Sequence, residues 1–210
     1  MVISFCKPLI HIIMFKLKEP SLENIIFMKE TLAKLHEIEF VKALQIVVDE
    51  DRAEYSYDFT MILKFSSVED IEKYLIHPIH KDDVVAKTTP YIQSVAVIDL
   101  SAEEALLENE FGVYRQIILF TLHEPVQENL QILSGVLEDL RVIPYITKLV
   151  VVPNIVSSAR NSDMVLFIDV ENKGQMTKFI NPPVYIQSIM PKTLQYVKKL
   201  AAVSYLTKTR

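Results

Sequence analysis

Two histidines and a tyrosine fall within seven residues of one another in Glu72-Lys73-Tyr74-Leu75-Ile76-His77-Pro78-Ile79-His80-Lys81-Asp82-Asp83. Imidazole titrates near neutrality, so a histidine here can take or release a proton at physiological pH. A tyrosine hydroxyl can donate a hydrogen bond to an oxygen on which negative charge develops. Of these groups His80 is the one placed to take a proton. Proline biases its predecessor away from the α region and suits the first position of a new helix. A short helix is therefore expected to end near Tyr74–Ile76, with a kink at His77 and a second helix from Pro78. His80 then lies in the first turn of that helix, where unpaired N–H groups and the positive dipole end disfavour imidazolium. A helix–turn–helix joint whose histidines only cap and pack accounts for the same spacing.

The rest of the composition narrows the function classes. Of the 210 residues, 50% are hydrophobic and 23% charged, as in an ordinary folded protein with a sizeable core. With only 3 glycines there is no Gly-rich phosphate-cradling loop or dinucleotide fingerprint. A net charge of −5 argues against a nucleic-acid partner. Cys6 is the single cysteine, which leaves no disulfide framework and no Cys-based metal site, and the five histidines show no metal-ligand spacing. His36 and His123, at the ends of a helix and a strand, are expected to be exposed. The apolar start is interrupted by Lys7, lacks a basic leader and a small-residue cleavage site, and no run is long enough to span a membrane. The expectation is a soluble cytoplasmic protein.

The elements that must position the histidines follow from periodicity. Residues 8–18 read as a strand, with His11 on the face of Leu9, Ile13, Phe15 and Leu17, and Ile10, Ile12 and Met14 opposite. Both faces are apolar, so both must be covered. Ser21 is a plausible N-cap for a helix carrying Ile25, Met28, Leu32 and Leu35 at helical spacing. Strands are expected over 40–48, 55–65 and 92–99, giving the order β-α-β-β-α-β of a ferredoxin-like unit.

The pattern recurs at a constant offset of 105: Phe15-Lys-Leu-Lys-Glu-Pro20 lies on Phe120-Thr-Leu-His-Glu-Pro125, and Asp58, Pro78 and Tyr91 fall on Asp163, Pro183 and Tyr196. A gapless offset through every element implies duplication. The organisation expected is a unit over 1–100, an acidic linker over 101–111 and a second unit over 112–210. A sheet with helices on one side leaves an apolar face bare, and two units in one chain can bury those faces against each other. The fold class expected is α+β, two ferredoxin-like βαββαβ units forming an intramolecular dimeric α/β barrel.

His11-Ile-Ile-Met-Phe-Lys-Leu17, Tyr57-Asp58-Phe59 and Tyr74-Leu-Ile-His77-Pro78-Ile-His80 together resemble the stress-responsive α/β-barrel family, Dabb. The resemblance covers residues 8–100 and reaches 112–206 only through the repeat. It implies a barrel of ferredoxin-like units and, as in the branch that cyclises poly-β-ketones, a cofactor-free site. In that site His80 is general base, Tyr74 assists and His11 lines the pocket. The implied partner is a small, largely apolar molecule, with His77, Ile13, Phe59 and Met61 as further binding residues. The second unit departs from the pattern: the repeat puts Gln116 at the place of His11, Phe179 at Tyr74, Pro182 at His77 and Tyr185 at His80. At most one site per chain can then transfer a proton, and a non-catalytic barrel with structural histidines is the alternative.

Overall fold

The computed structural model describes residues 8–51, 56–101, 112–155, 161–179 and 182–207, and for Phe179 the backbone alone. Cys6 and all of the expected linker except Ser101 lie outside the described residues.

The first unit runs β1 (Leu9–Leu17), α1 (Leu22–Ala33), β2 (Ala43–Val48), β3 (Phe59–Phe65), α2 (Val68–Ile76), a π-helical segment (Ile79–Val85) leading into α3 (Ala86–Thr88), and β4 (Ile92–Ser101). The second runs β5 (Tyr114–Leu122), α4 (Gln127–Glu138), β6 (Lys148–Pro153), β7 (Met164–Val170), α5 (Lys173–Phe179), a π-helical segment (Tyr185–Ile189), α6 (Met190–Tyr196) and β8 (Val197–Leu206). Each unit is ferredoxin-like: a four-stranded antiparallel sheet, β2-β3-β1-β4 in one and β6-β7-β5-β8 in the other. Ser21 caps α1 by accepting from the Asn24 N–H.

Apolar residues on both faces of each sheet produce three cores. Leu9, Ile13, Phe15 and Leu17 meet α1, α2 and the π-helical segment. The opposite face of β1, with Ile10, Ile12 and Met14, packs with Ile98 and Leu100 against Ile117, Val165, Phe167 and Val203 of the other sheet. The third core lies between the second sheet and its helices. The layers are therefore helix, sheet, sheet, helix, with the sheet faces buried against each other inside one chain.

The sheets also meet along two seams, and the seams obey the offset of 105. The Tyr57 N–H donates to the Ala202 carbonyl and the Ser162 N–H to Val97. The Glu50 N–H donates to Ser204 and the Ile155 N–H to Asp99. These seams carry isolated bridges rather than continuous ladders. They explain why β3 begins at Phe59 instead of 55: Ser56 and Tyr57 pair across the seam with β8. Likewise β2 begins at Ala43 instead of 40, because the Val41 N–H closes a turn on Ile38.

Candidate functional site

Ser67 caps α2 by accepting from the Asp70 N–H. The helix ends at His77, whose backbone is extended (φ −64°, ψ 137°), as a residue before proline requires. The chain then re-enters helical conformation at Pro78, as expected from the sequence, in a π-helical run over Ile79–Val85. His77 secures this joint. Its Nδ1 accepts from the Ile79 N–H at 3.2 Å, and its Nε2 lies 3.8 Å from the Glu39 carboxylate. The first orphan N–H of the new helix is thus satisfied by a side chain.

His80 is half-buried at this joint. Its Nδ1–H donates to the Leu75 carbonyl at 3.1 Å, so the neutral ring carries its lone pair on Nε2. Burial is the largest influence on its pKa and pushes it below the ordinary histidine value; the Leu75 bond opposes this, and His11 and His77 add to it. The cause is chiefly desolvation, where the sequence pointed first to the helix dipole.

The His80 ring lies 4.4 Å from that of Tyr74, centroid to centroid. Tyr74 is only 1% exposed and touches Phe65 (5.1 Å) and His11 (6.2 Å). Burial holds its phenol well above the usual range, so the hydroxyl keeps its proton and can only donate or accept as O–H. His11, also buried, donates from Nδ1 to Asp99 Oδ1 at 2.6 Å, its partner across β1 and β4. The second Asp99 oxygen accepts from Asn161 Nδ2 at 2.9 Å, and the Asp99 N–H donates to Asn154 Oδ1. Both asparagines belong to the other unit.

The fold therefore brings His11, Tyr74 and His80 together as one row of touching rings, with Asp99 behind His11 and His77 at the joint. Ile13, Phe59 and Met61 lie in the adjoining core, 7%, 0% and 2% exposed, with Phe59 stacked on Phe15. Asp99, Phe65, Asn154 and Asn161 escaped the sequence reading. The lone acid in Ala-Val-Ile-Asp99-Leu was a signal for Asp99. The asparagines left none, because their role exists only across the seam. His36 and His123 are exposed, as expected.

In the second unit Gln116 Nε2 donates to Ser204 Oγ at 3.1 Å, replacing the His11–Asp99 pair by a neutral one. Beside it lies a cavity of about 400 Å³ between the sheet and the helices. The side chain of Phe179, at the Tyr74 position, lies outside the described residues.

Comparison with known proteins finds a family match in the first unit. Residues 9–102 match the Stress responsive A/B Barrel Domain, Dabb. The Dabb match begins at the first residue of β1 and ends one residue past β4. The whole chain is similar in fold to an anthrone oxidase-like protein, with 12% identity over 96% of this chain and 91% of that one and a TM-score of 0.70. It is also similar to a candidate monooxygenase from Fusobacterium nucleatum, with 11% identity, 96% and 92% coverage and a TM-score of 0.52. A Dabb family protein with a ferredoxin-like fold from Mesorhizobium loti aligns at 23% identity over 44% of this chain and 94% of its own, with a TM-score of 0.40. No curated protein matches the sequence. Among the described residues no helix is long and apolar enough to cross a membrane.

Proposed function

We propose that the chain is a tandem duplication of one Dabb-like unit, residues 1–100 and 112–210 joined by 101–111, acting in the cytoplasm. In this reading the first unit binds a small, largely apolar molecule and abstracts a proton beside its carbonyl, as a cofactor-independent cyclase or lyase does. His80 is the general base. The observation that carries the reading is the geometry of its ring: Nδ1–H is committed to Leu75, which leaves the lone pair on Nε2 with no partner among the described residues, the ring lies against that of Tyr74, and burial favours its neutral form. Nε2 takes the proton, and the Tyr74 O–H stabilises the enolate oxygen left behind. His11, held by Asp99, supports the far side of the Tyr74 ring. His77, Ile13, Phe59 and Met61 are the neighbouring binding residues.

A second reading has its own support. Tyr74 is 1% exposed and its ring contacts are those of a packed core, which favours a non-catalytic barrel with structural histidines. The experiment is a thermal-shift screen of β-ketones, since a ligand of the folded state raises the melting temperature. It is followed by NMR measurement of α-proton exchange with solvent deuterium for the compounds that bind. His80→Gln is expected to slow exchange by about 10²-fold or more, the usual contribution of a general base, while melting close to the parent. If it exchanges at the parental rate, or melts as low as a core truncation, the catalytic reading fails and the structural one stands.

A further inference from the structure

We propose that the second unit holds a ligand site of its own, independent of the His80 reading, that takes an uncharged, largely hydrocarbon molecule with at most one hydrogen-bond donor. The cavity of about 400 Å³ lies on the helix-facing side of the second sheet, and its size falls at the lower end of small-ligand pockets. Among the described residues its wall includes no Asp, Glu, Lys, Arg or His side chain. A charged ligand would therefore lose its hydration with nothing to replace it. The polar side chains on the wall are Gln116 on the sheet side and Tyr185 and Thr193 on the helix side, where the Thr193 hydroxyl donates to the Ile189 carbonyl. One of the two Gln116 amide N–H groups donates to Ser204, and its Oε1 can accept from a ligand. A single N–H or O–H donor on an otherwise apolar body suits that acceptor.

The rim supplies an independent observation. Ile186, Met190 and Leu194 are 50%, 43% and 52% exposed, and all three line the cavity. The offset of 105 places them on Lys81, Val85 and Thr89 of the first unit. Two of three matched positions thus change from polar to large apolar, on a helix face where the fold itself does not bury them. An apolar collar around an apolar cavity is what a hydrophobic ligand entering from solvent needs.

The test uses the full chain and the neutral fluorophore 1-aminoanthracene, an apolar body with one amine donor. Fluorescence titration should show saturable binding at one site per chain with a blue-shifted emission. Ala202→Phe projects a ring into the cavity from β8 and should weaken binding at least about tenfold. Met190→Glu places a charge on the solvent-exposed rim, where folding tolerates it, and should also weaken binding, by about threefold or more. Gln116→Leu should weaken 1-aminoanthracene but not anthracene. Anthracene-1-sulfonate should bind at least about tenfold more weakly than the amine. The inference is overturned if no saturable binding occurs, or if Ala202→Phe and Met190→Glu both bind as the parent does. It is also overturned if the sulfonate binds as well as the amine. Loss of binding on Val97→Phe, the first-unit counterpart of Ala202, with Ala202→Phe unaffected, would place the probe in the first unit and overturn it too. The probe has no carbonyl, so these outcomes are separate from the exchange rates that test His80.

Discussion

The two units share a backbone and differ in what they place over the same patch of sheet. Parts of their hydrogen-bonded scaffolding repeat: the Leu17 N–H donates to the Asp58 carboxylate and Leu122 to Asp163, while Asn24 and Asn129 each donate to the carbonyl five residues earlier. Above that frame, the first unit sets His11 on Asp99 beneath Tyr74 and His80, and the second sets Gln116 on Ser204 beneath an apolar cavity. The lesson is that backbone-fixing polar groups and site-forming side chains are separable. The former hold both units in one fold, while the latter are free to become a titratable ring cluster in one and a neutral hydrophobic chamber in the other. The units are nevertheless tied across the seam, where Asn154 and Asn161 of the second unit hold Asp99 of the first.

The comparison breaks most completely if one unit can stand alone. Residues 1–106 expressed alone would expose Ile10, Ile12, Met14, Ile98 and Leu100, and are expected to associate or aggregate. A soluble, cooperatively folding monomer by light scattering and calorimetry would disprove the shared-core account.

The next effect is confined to one unit. Arg115 and Asp169 form a buried bidentate pair at 2.6 Å, at positions where the first unit has Ile10 and exposed Lys64. Asp169→Ala would strand a buried guanidinium and should cost about 3–5 kcal/mol in urea unfolding. Lys64→Ala should stay within about 0.5 kcal/mol. Equal losses would mean that the pair has no special part in the second unit.

A smaller difference lies in pH dependence. Burial holds His80 below its ordinary 6.5 in the folded protein, so on acidification the unfolded chain takes the proton first. The stability tied to neutral His80 is therefore present above pH 6.5 and is lost as pH falls through that value towards the folded pKa. The parent should lose more melting temperature between about pH 7 and 5 than His80→Gln does. Parallel melting curves for the two proteins would contradict the desolvation of His80.

The smallest effect crosses the seam. Asn161→Ala removes one of the hydrogen bonds to Asp99 and should cost about 1 kcal/mol. It should also shift the NMR resonances of the His11 ring, while those of the second unit's Gln116 stay in place. Unchanged His11 resonances would show that the seam does not support the ring cluster.

What the sequence determined by itself is the part governed by local periodicity and short-range chemistry. The two-sided apolar pattern of β1 demanded cover on both faces, Ser21 marked a helix start, and Pro78 forced His77 to be extended; each depends on neighbours within a few residues. The offset of 105 likewise made the two-unit arrangement legible, because identical patterns fold into identical layers. Tertiary structure alone decided the rest. The partner of His11 depended on the register of β1 against β4, and the partners of Asp99 on a seam between units. The cavity beside Gln116 in the second unit likewise depended on how side chains of ordinary hydrophobic type pack in three dimensions. Such packing leaves no periodic signal.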